Sequence, residues 1–295
     1  ADAIVNIKRY QDIVLIAEQQ IAGIARIGKI SNLRAKAGIS SQADPVQAQS
    51  NLEAAQSNLI IQQTYLRQFQ QKLRTLIGYD ISTMNWEIPE RIIQQSSLYQ
   101  DPDFNQIPSI MQAQVGVEVA KLQKQNNKLS NYPTLKLKGS LSQAVNGRNP
   151  NNNQDNGFYN SIGLEATSNF YQGGATSAQI RAASYAEEAA KAEVNATYLE
   201  VLDSIRLIRE EIKNKQRQIS VLVARKETTI RTREIYQEQY KLGTRTAVDL
   251  LNAEQAIHGA AQEIESARYD IYAGIVRYIQ VTGRTRDIYG LNNIA

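Results

Sequence analysis

From Ala175 to Leu242, apolar residues return at helical spacing: Val201, Ile205, Ile208 and Ile212, then Ile219, Leu222 and Val223. The background is rich in Ala, Glu, Gln, Lys and Arg, and the six prolines (Pro45, Pro89, Pro102, Pro108, Pro133 and Pro150) all precede this stretch. The pattern predicts one uninterrupted helix of about 68 residues, roughly 100 Å long at about 1.5 Å per residue. A lone helix of that length cannot bury its apolar stripe, so it must pack lengthwise against other helices.

The pattern also repeats. Gly38, Asp44, Ala48 and Gly78 return as Gly243, Asp249, Ala253 and Gly283, and Leu52 and Ala55 as Ile257 and Ala260, all offset by 205 residues without a gap. An ungapped set of this kind argues for duplication. Each copy reads helix, glycine, short turn, aspartate, second helix, glycine. Gly38 and Gly243 fit the left-handed position that closes a helix. Asp44 and Asp249 fit the N-cap of the next helix, with Pro45 at its first position. Each copy is therefore expected to be a helical hairpin with a tight, capped tip.

The chain between the hairpins changes character. Residues 79–107, with Trp86, Pro89 and Pro102, read as a connector, and residues 108–130 as a shorter helix ended by Tyr132-Pro133. Residues 134–145 then alternate with a period of two. Leu135, Leu137, Leu141 and Val145 share one face with Gly139 and Gln143; Thr134, Lys136, Lys138, Ser140 and Ser142 share the other. A polar loop, residues 146–156, leads to a second alternating run over 157–171. There Phe158, Ile162, Leu164, Ala166 and Phe170 oppose Tyr159, Ser161, Glu165, Thr167 and Asn169. Two strands of about a dozen residues suit a tilted membrane-spanning pair. Tyr132, Phe158, Tyr159, Phe170 and Tyr171 near their ends suit its interfaces. Alternation alone fits a soluble hairpin equally; the long helices favour the membrane. A single hairpin leaves strand edges unpaired, so a membrane barrel would have to be shared among several chains.

Composition narrows the chemistry. The 295 residues are 42% hydrophobic and carry a formal charge of +4, with Lys and Arg interleaved among Asp and Glu rather than gathered in a basic stripe. A nucleic-acid partner is therefore not expected. The absence of cysteine excludes disulfides and thiolate metal sites. No apolar run approaches the roughly 20 residues of a membrane helix. The start, Ala1-Asp2-Ala3-Ile4-Val5, lacks the features of a signal peptide. The chain is thus soluble, or has lost a leader, or crosses a membrane with strands. The single histidine, His258, has no partner histidine nearby and reads as a helix-surface or interhelical residue. Gly173-Gly174 is too weak for a phosphate loop. Glu187-Glu188 and Glu210-Glu211 are adjacent on a helix and do not face one another. No catalytic constellation, metal site or cofactor site is expected.

Tyr240-Lys241-Leu242-Gly243-Thr244-Arg245-Thr246-Ala247-Val248-Asp249-Leu250-Leu251-Asn252-Ala253 resembles the periplasmic tip motif of TolC-type outer-membrane efflux proteins. Ala267-Arg268-Tyr269-Asp270, followed by Gly283, resembles that family's returning helix. Tyr132-Pro133-Thr134-Leu135 resembles its helix-to-strand passage, and Phe170-Tyr171-Gln172-Gly173-Gly174 its strand-to-helix exit. Residues 38–48 match a weaker first copy of the tip. The resemblance covers nearly the whole chain.

It implies a mainly α fold with a membrane β-hairpin: long antiparallel helical hairpins forming an α-barrel, and strands contributing to a shared trimeric β-barrel. The implied parts are a first tunnel hairpin (1–78), a connector and short helix (79–133), an outer-membrane β-hairpin (134–171), a second tunnel hairpin (172–283) and a C-terminal tail (284–295). The implied partners are two further copies, a periplasmic adaptor at the tips, an inner-membrane transporter and outer-membrane lipid.

By the same resemblance the tips close the periplasmic mouth. The residues implied are Asp44, Tyr240, Gly243, Thr244, Arg245, Asp249 and Asn252, on turns set by Gly38 and Pro45. Arg245 is expected to pair with Asp44 of a neighbouring protomer's hairpin, and Tyr240 to add a hydrogen bond. An exposed pair contributes only about 0–1 kcal/mol, which suits a gate that opens easily. Asp249 matches one acidic ring position. Asn252 stands where the family has a second aspartate, so the ring should be less acidic. Plain helix capping accounts for the two aspartates without any gate. Lys136, Lys138 and Glu165 would face the barrel lumen, or else are a wet sheet face.

One departure matters: the family places a strand hairpin before each helical hairpin, and here only the second is found. The duplication arithmetic implies that roughly 100 further residues precede the first copy. The reading is a passive exit duct for type I secretion of protein cargo, with efflux of small toxic compounds through the same tunnel as the alternative. A soluble coiled-coil scaffold or periplasmic adaptor is the rival of another class.

Overall fold

A computed structural model describes residues 1–80, 87–143, 145–148, 153, 155 and 157–291. Trp86, Pro150 and the side chain of Tyr159 lie outside the described residues. The contacts divide the chain into two units, Ala1–Pro102 with Val201–Ala295, and Asp103–Glu200.

In the first unit, α1 (Asp2–Lys36) and α2 (Ala43–Ile77) form one antiparallel hairpin, each 35 residues long. The second hairpin pairs the later part of α5 (Ala175–Lys241) with α6 (Ala247–Val281). The 67 residues of α5 form a single helix, for the reason visible in the sequence: strong helix formers and no proline. Gly38, Gly78, Gly243 and Gly283 have φ of +71°, +76°, +78° and +72°, so equivalent glycines of the two copies share the left-handed conformation. α6 packs on α1 and more lightly on α2. Towards the tips the core comprises Ile24, Ile27, Ala48, Ala55, Tyr240, Ala247, Leu250 and Leu251. Towards the other end of the first hairpin it comprises Ala3, Ile7 and Leu73, beside a stack of Tyr10 on Tyr65 and Phe69.

The connector contains α3 (Glu90–Gln95), and the tail contains α7 (Thr285–Ile288). Residues 95–100 are held through their carbonyls. Arg284 donates to Gln95 and Ser96 (both 3.0 Å), Arg209 to Leu98 (2.7 Å) and Gln100 (2.6 Å), and the Tyr278 hydroxyl to Gln100 (3.1 Å).

In the second unit, a 3₁₀ turn (Phe104–Gln106) leads into α4 (Pro108–Leu129), with proline at the first helical position. The first part of α5 meets α4 through Lys124 and Glu187 at 3.0 Å. Hydrogen bonds from Lys124 and then Lys191 hold the Glu187 carboxyl below its ordinary range. β1 (Thr134–Gln143) and β2 (Phe158–Thr167) pair antiparallel in a two-stranded sheet. Their register sets Leu135 against Ala166, Leu137 against Leu164 and Gly139 against Ile162, so the two apolar sets share one face. The opposite face brings Lys138 to Glu165 as an ion pair and Ser140 to Ser161 at 2.7 Å. The strands have ten residues each, shorter than the expected dozen. β2 stops at Thr167 and leaves Phe170 and Tyr171 outside it; the turn into α5 uses positive φ at Gly173 (+59°) and Gly174 (+84°).

The apolar face of this sheet is bare: Leu135, Leu137, Leu141, Ile162 and Leu164 are between 66% and 84% exposed. No helix among the described residues is long and apolar enough to cross a membrane.

Candidate functional site

Both tips are built by the same backbone device. At the second tip, Gly243 N–H donates to the Tyr240 carbonyl and Thr244 N–H to that of Gln239, each at 3.0 Å. At the first, Gly38 N–H donates to Ala35 (3.0 Å) and Ile39 N–H to Arg34 (2.9 Å). This is the paired closure that satisfies the last carbonyls of a helix and requires a left-handed residue. Thr244 adds its hydroxyl to the Gln239 carbonyl at 3.0 Å. Because Gly243 has φ of +78°, Gly243→Val is expected to destabilise the tip by about 1–2 kcal/mol or more, whereas Gly243→Asn is tolerated. The midpoint of thermal dissociation of the assembled protein checks this; an unchanged midpoint for the valine variant contradicts the turn assignment.

The caps differ from those read in the sequence. Asp249 does not cap α6: Thr246 is the N-cap and Asp249 sits three residues on, completing a capping box. The Thr246 hydroxyl and the Asp249 carboxylate are 3.0 Å apart. Asp44 likewise lies inside the first turn of α2, whose N-cap is Gln42, and Pro45 follows it within that turn rather than standing first. The Ser41 hydroxyl accepts from Ala43 N–H at 3.1 Å. Ser41 and Thr246 are equivalent by the 205-residue offset. The hydroxyls thus hold the free amides, and the aspartates place negative charge at the positive ends of the helices.

The side chains around the second tip separate into two groups. Arg245 turns back onto its own hairpin: Nε donates to Gln239 Oε1 at 2.9 Å, the guanidinium lies 4.6 Å from the centre of the Tyr236 ring, and Asp249 is 3.7 Å away. Asn252 is exposed and Asp249 half-buried. Tyr240, expected to add a hydrogen bond at the gate, is buried (4% exposed). Its ring fills the core between the two hairpins and its hydroxyl reaches Ser31 at 3.3 Å. Arg34, which sequence reasoning missed, crosses from the first hairpin: it donates to the Lys241 carbonyl at 3.3 Å and lies 4.8 Å over the Tyr240 ring. A cation there also suits the negative C-terminal end of α5.

Farther from the tip the hairpins are tied by charge. Arg9 of α1 meets Asp270 of α6 at 2.7 Å, Lys215 of α5 meets the same carboxylate at 2.8 Å, and Tyr269 donates to Asp12 at 2.6 Å. Burial pushes the Asp270 carboxyl up, but Lys215 and Arg9 outweigh it and leave it below the ordinary range. A depressed carboxyl stabilises the fold above its unfolded-state pKa of about 3.9, and the contribution is lost as pH falls through the folded value. Asp270→Asn is therefore expected to lower stability by about 2 kcal/mol at neutral pH. Its deficit should shrink towards zero as pH falls through the folded value. Melting curves of both proteins across that range test the sign.

The sequence model of the family described as "Outer membrane efflux protein" matches residues 105–284, more than half of the chain. The chain belongs to that family. Among curated relatives of this outer membrane efflux protein, the outer membrane protein TolC of Vibrio cholerae is 23% identical over 96% of the chain and 66% of the relative. The alkaline protease secretion protein AprF of Pseudomonas aeruginosa is 21% identical over 90% of the chain and 58% of the relative. The chain thus spans two thirds or less of the length of these relatives. In the crystal structure of the outer membrane protein VceC from Vibrio cholerae, the same fold covers 95% of this chain and 68% of that one, with a TM-score of 0.78 at 16% identity. The Campylobacter jejuni CmeC outer membrane channel gives 0.74 at 17% identity, over 98% and 63%. The fold is accordingly that of an outer-membrane α-barrel channel carrying a β-hairpin, and these relatives are channels rather than enzymes. Membership places this efflux-family protein in the outer membrane of a Gram-negative bacterium, with its helices reaching into the periplasm.

Proposed function

We propose that the full-length protein is a homotrimeric exit duct of a type I secretion system, passing protein cargo from an inner-membrane transporter and its periplasmic adaptor to the outside. The observation that carries the duct reading is the bare two-stranded sheet. Its apolar face is 66–84% exposed along Leu135, Leu137, Leu141, Ile162 and Leu164, and both of its outer edges lack a strand partner among the described residues. Water disfavours so large an apolar face, and lipid tolerates no open strand edge. Further strands from other copies satisfy both demands, with the apolar face on lipid and Lys136, Lys138 and Glu165 on the lumen. The parts are then a first tunnel hairpin (1–78), a connector (79–133), a membrane hairpin (134–171), a second tunnel hairpin (172–283) and a tail (284–295). The adaptor meets the tips, where Arg245, Asp249 and Asn252 face outward or stand half-exposed. Arg245 and Asp44 meet across protomers in the closed state.

Protein cargo is favoured because a relative matched over 90% of the chain is named for alkaline protease secretion. The second reading, efflux of small compounds through the same tunnel, is favoured by the description of the matching family as outer membrane efflux proteins. Deleting the gene separates them. Loss of a large polypeptide from the culture medium with unchanged drug susceptibility supports secretion, and the reverse pattern supports efflux. Recovery of the protein from periplasm without detergent refutes both.

A further inference from the structure

Around the base of the two-stranded sheet the surface chemistry changes in a fixed order. The bare apolar face gives way to Tyr132 (68% exposed), Phe170 (96%) and Tyr171 (87%), where α4 passes into β1 and β2 into α5. Next come two exposed cations, Lys128 in the last turn of α4 and Arg181 in the second turn of α5. Neither side chain has a hydrogen-bond or ion-pair partner among the described residues. Residues 125–133 and 168–186 contain no Asp or Glu. The first carboxylates beyond them along the chain are already engaged: Glu118 by Lys121, Glu187 by Lys124 and Lys191, and Glu165 by Lys138 on the polar face of the sheet. The helix dipole accounts for a cation in the last turn of α4; it does not account for Arg181, near the positive end of α5.

We propose that Lys128 and Arg181 bind the phosphates of anionic phospholipids in the periplasmic leaflet of the outer membrane. This rests on the duct reading above and names the lipid class that the duct meets. A bilayer presents hydrocarbon, then a narrow interface, then headgroup phosphates, and this surface offers an apolar sheet, aromatic rings and cations in the same order. Arg181 lies six residues beyond Ala175, about 9 Å along the helix. Helical side chains tilt towards the N-terminus, so that of Arg181 leans back towards the sheet. A guanidinium grips two phosphate oxygens at once. A zwitterionic headgroup compensates its own phosphate with an amine, so an unpaired cation gains more from an anionic one. The leaflet follows from the course of the chain. Both cations lie on the helices, which reach into the periplasm. They stand beside the sheet end where Thr134 pairs with Thr167; Arg148 follows the opposite end, where Gln143 pairs with Phe158.

The test reconstitutes the full-length protein in phosphatidylcholine bilayers and compares how strongly it immobilises spin-labelled phosphatidylglycerol and spin-labelled phosphatidylcholine. Wild type is expected to prefer phosphatidylglycerol about fivefold at low salt. The preference should fall towards parity in about 1 M salt. Lys128→Gln with Arg181→Gln should abolish it, Lys128→Arg with Arg181→Lys should keep most of it, and Arg148→Gln, on the far side of the sheet, should leave it unchanged. Should the double glutamine variant fail to assemble, Arg181→Gln alone must lower the preference. Equal immobilisation of the two lipids by wild type overturns the proposal, as does a preference that survives the loss of both cations or of Arg181 alone. A preference lost in Arg148→Gln overturns it too, because the contact then lies in the opposite leaflet. A wild-type protein that immobilises no lipid at all sinks the duct reading, and this proposal with it.

Discussion

Tyr240→Ala is expected to be among the most destabilising single substitutions in the tip half of the protein, by about 3–5 kcal/mol per protomer. The ring is 4% exposed and packs with Ile24 and Ile27 of α1, Ala48 and Ala55 of α2, and Ala247, Leu250 and Leu251 of α6. Truncation opens a cavity where all four helices meet. It also removes the surface beneath the Arg34 guanidinium, which then keeps only its 3.3 Å bond to the Lys241 carbonyl. Tyr240→Phe separates the contributions. The hydroxyl bond to Ser31 is long, at 3.3 Å, and its loss should amount to about 0.5–1.5 kcal/mol. If the alanine and phenylalanine variants melt together, the ring is not the element that joins the hairpins. Under the gate reading the alanine variant should also leak, because the tips then part with less opposition.

The contrast between Tyr240 and α5 shows which features the sequence carries on its surface. The 67-residue helix was readable because its signal is local: helical spacing, strong helix formers and no proline. The strand faces were readable for the same reason, since a period of two fixes them before any partner is known. The register, Leu137 against Leu164, adds only that the two apolar sets coincide. The duplication was readable because Gly38, Gly78, Gly243 and Gly283 all need positive φ.

The cap positions were misread, by three residues at Asp249 and by two at Asp44, although a signal was present. Ser41 and Thr246 each precede an aspartate by three, the spacing of a capping box, and a hydroxyl competes well with a carboxylate for the free amides. The partners of Tyr240, Ser31 and Arg34, come from another hairpin some two hundred residues away, and no local pattern announces them. Glu254 and His258 stand one turn apart and were open to notice. The approach of Glu254 to Gly23 of α1, by contrast, is visible only once α1 is laid against α6.

Tyr278→Ala is expected to be comparably severe, at about 3–5 kcal/mol, for a different reason. The side chain is 1% exposed, so truncation leaves a void beside Ile275 and Ile279 of the same helix. It also releases the connector. The hydroxyl donates to the Gln100 carbonyl at 3.1 Å, and the ring lies 5.8 Å beneath the Arg209 guanidinium that holds Leu98 and Gln100. Ser97, a non-glycine residue at φ of +49°, stands in the middle of this clamped segment. Such a backbone conformation persists only where its surroundings over-determine it. Loss of Tyr278 should therefore free residues 97–100 to relax, and their amides should exchange with solvent at least about tenfold faster. Arg284, which grips Gln95 and Ser96 from the other side, should limit the release to the second half of the segment. A Tyr278→Ala protein that melts lower while exchange over 97–100 stays at the wild-type rate would show that the tyrosine fills space without holding the connector.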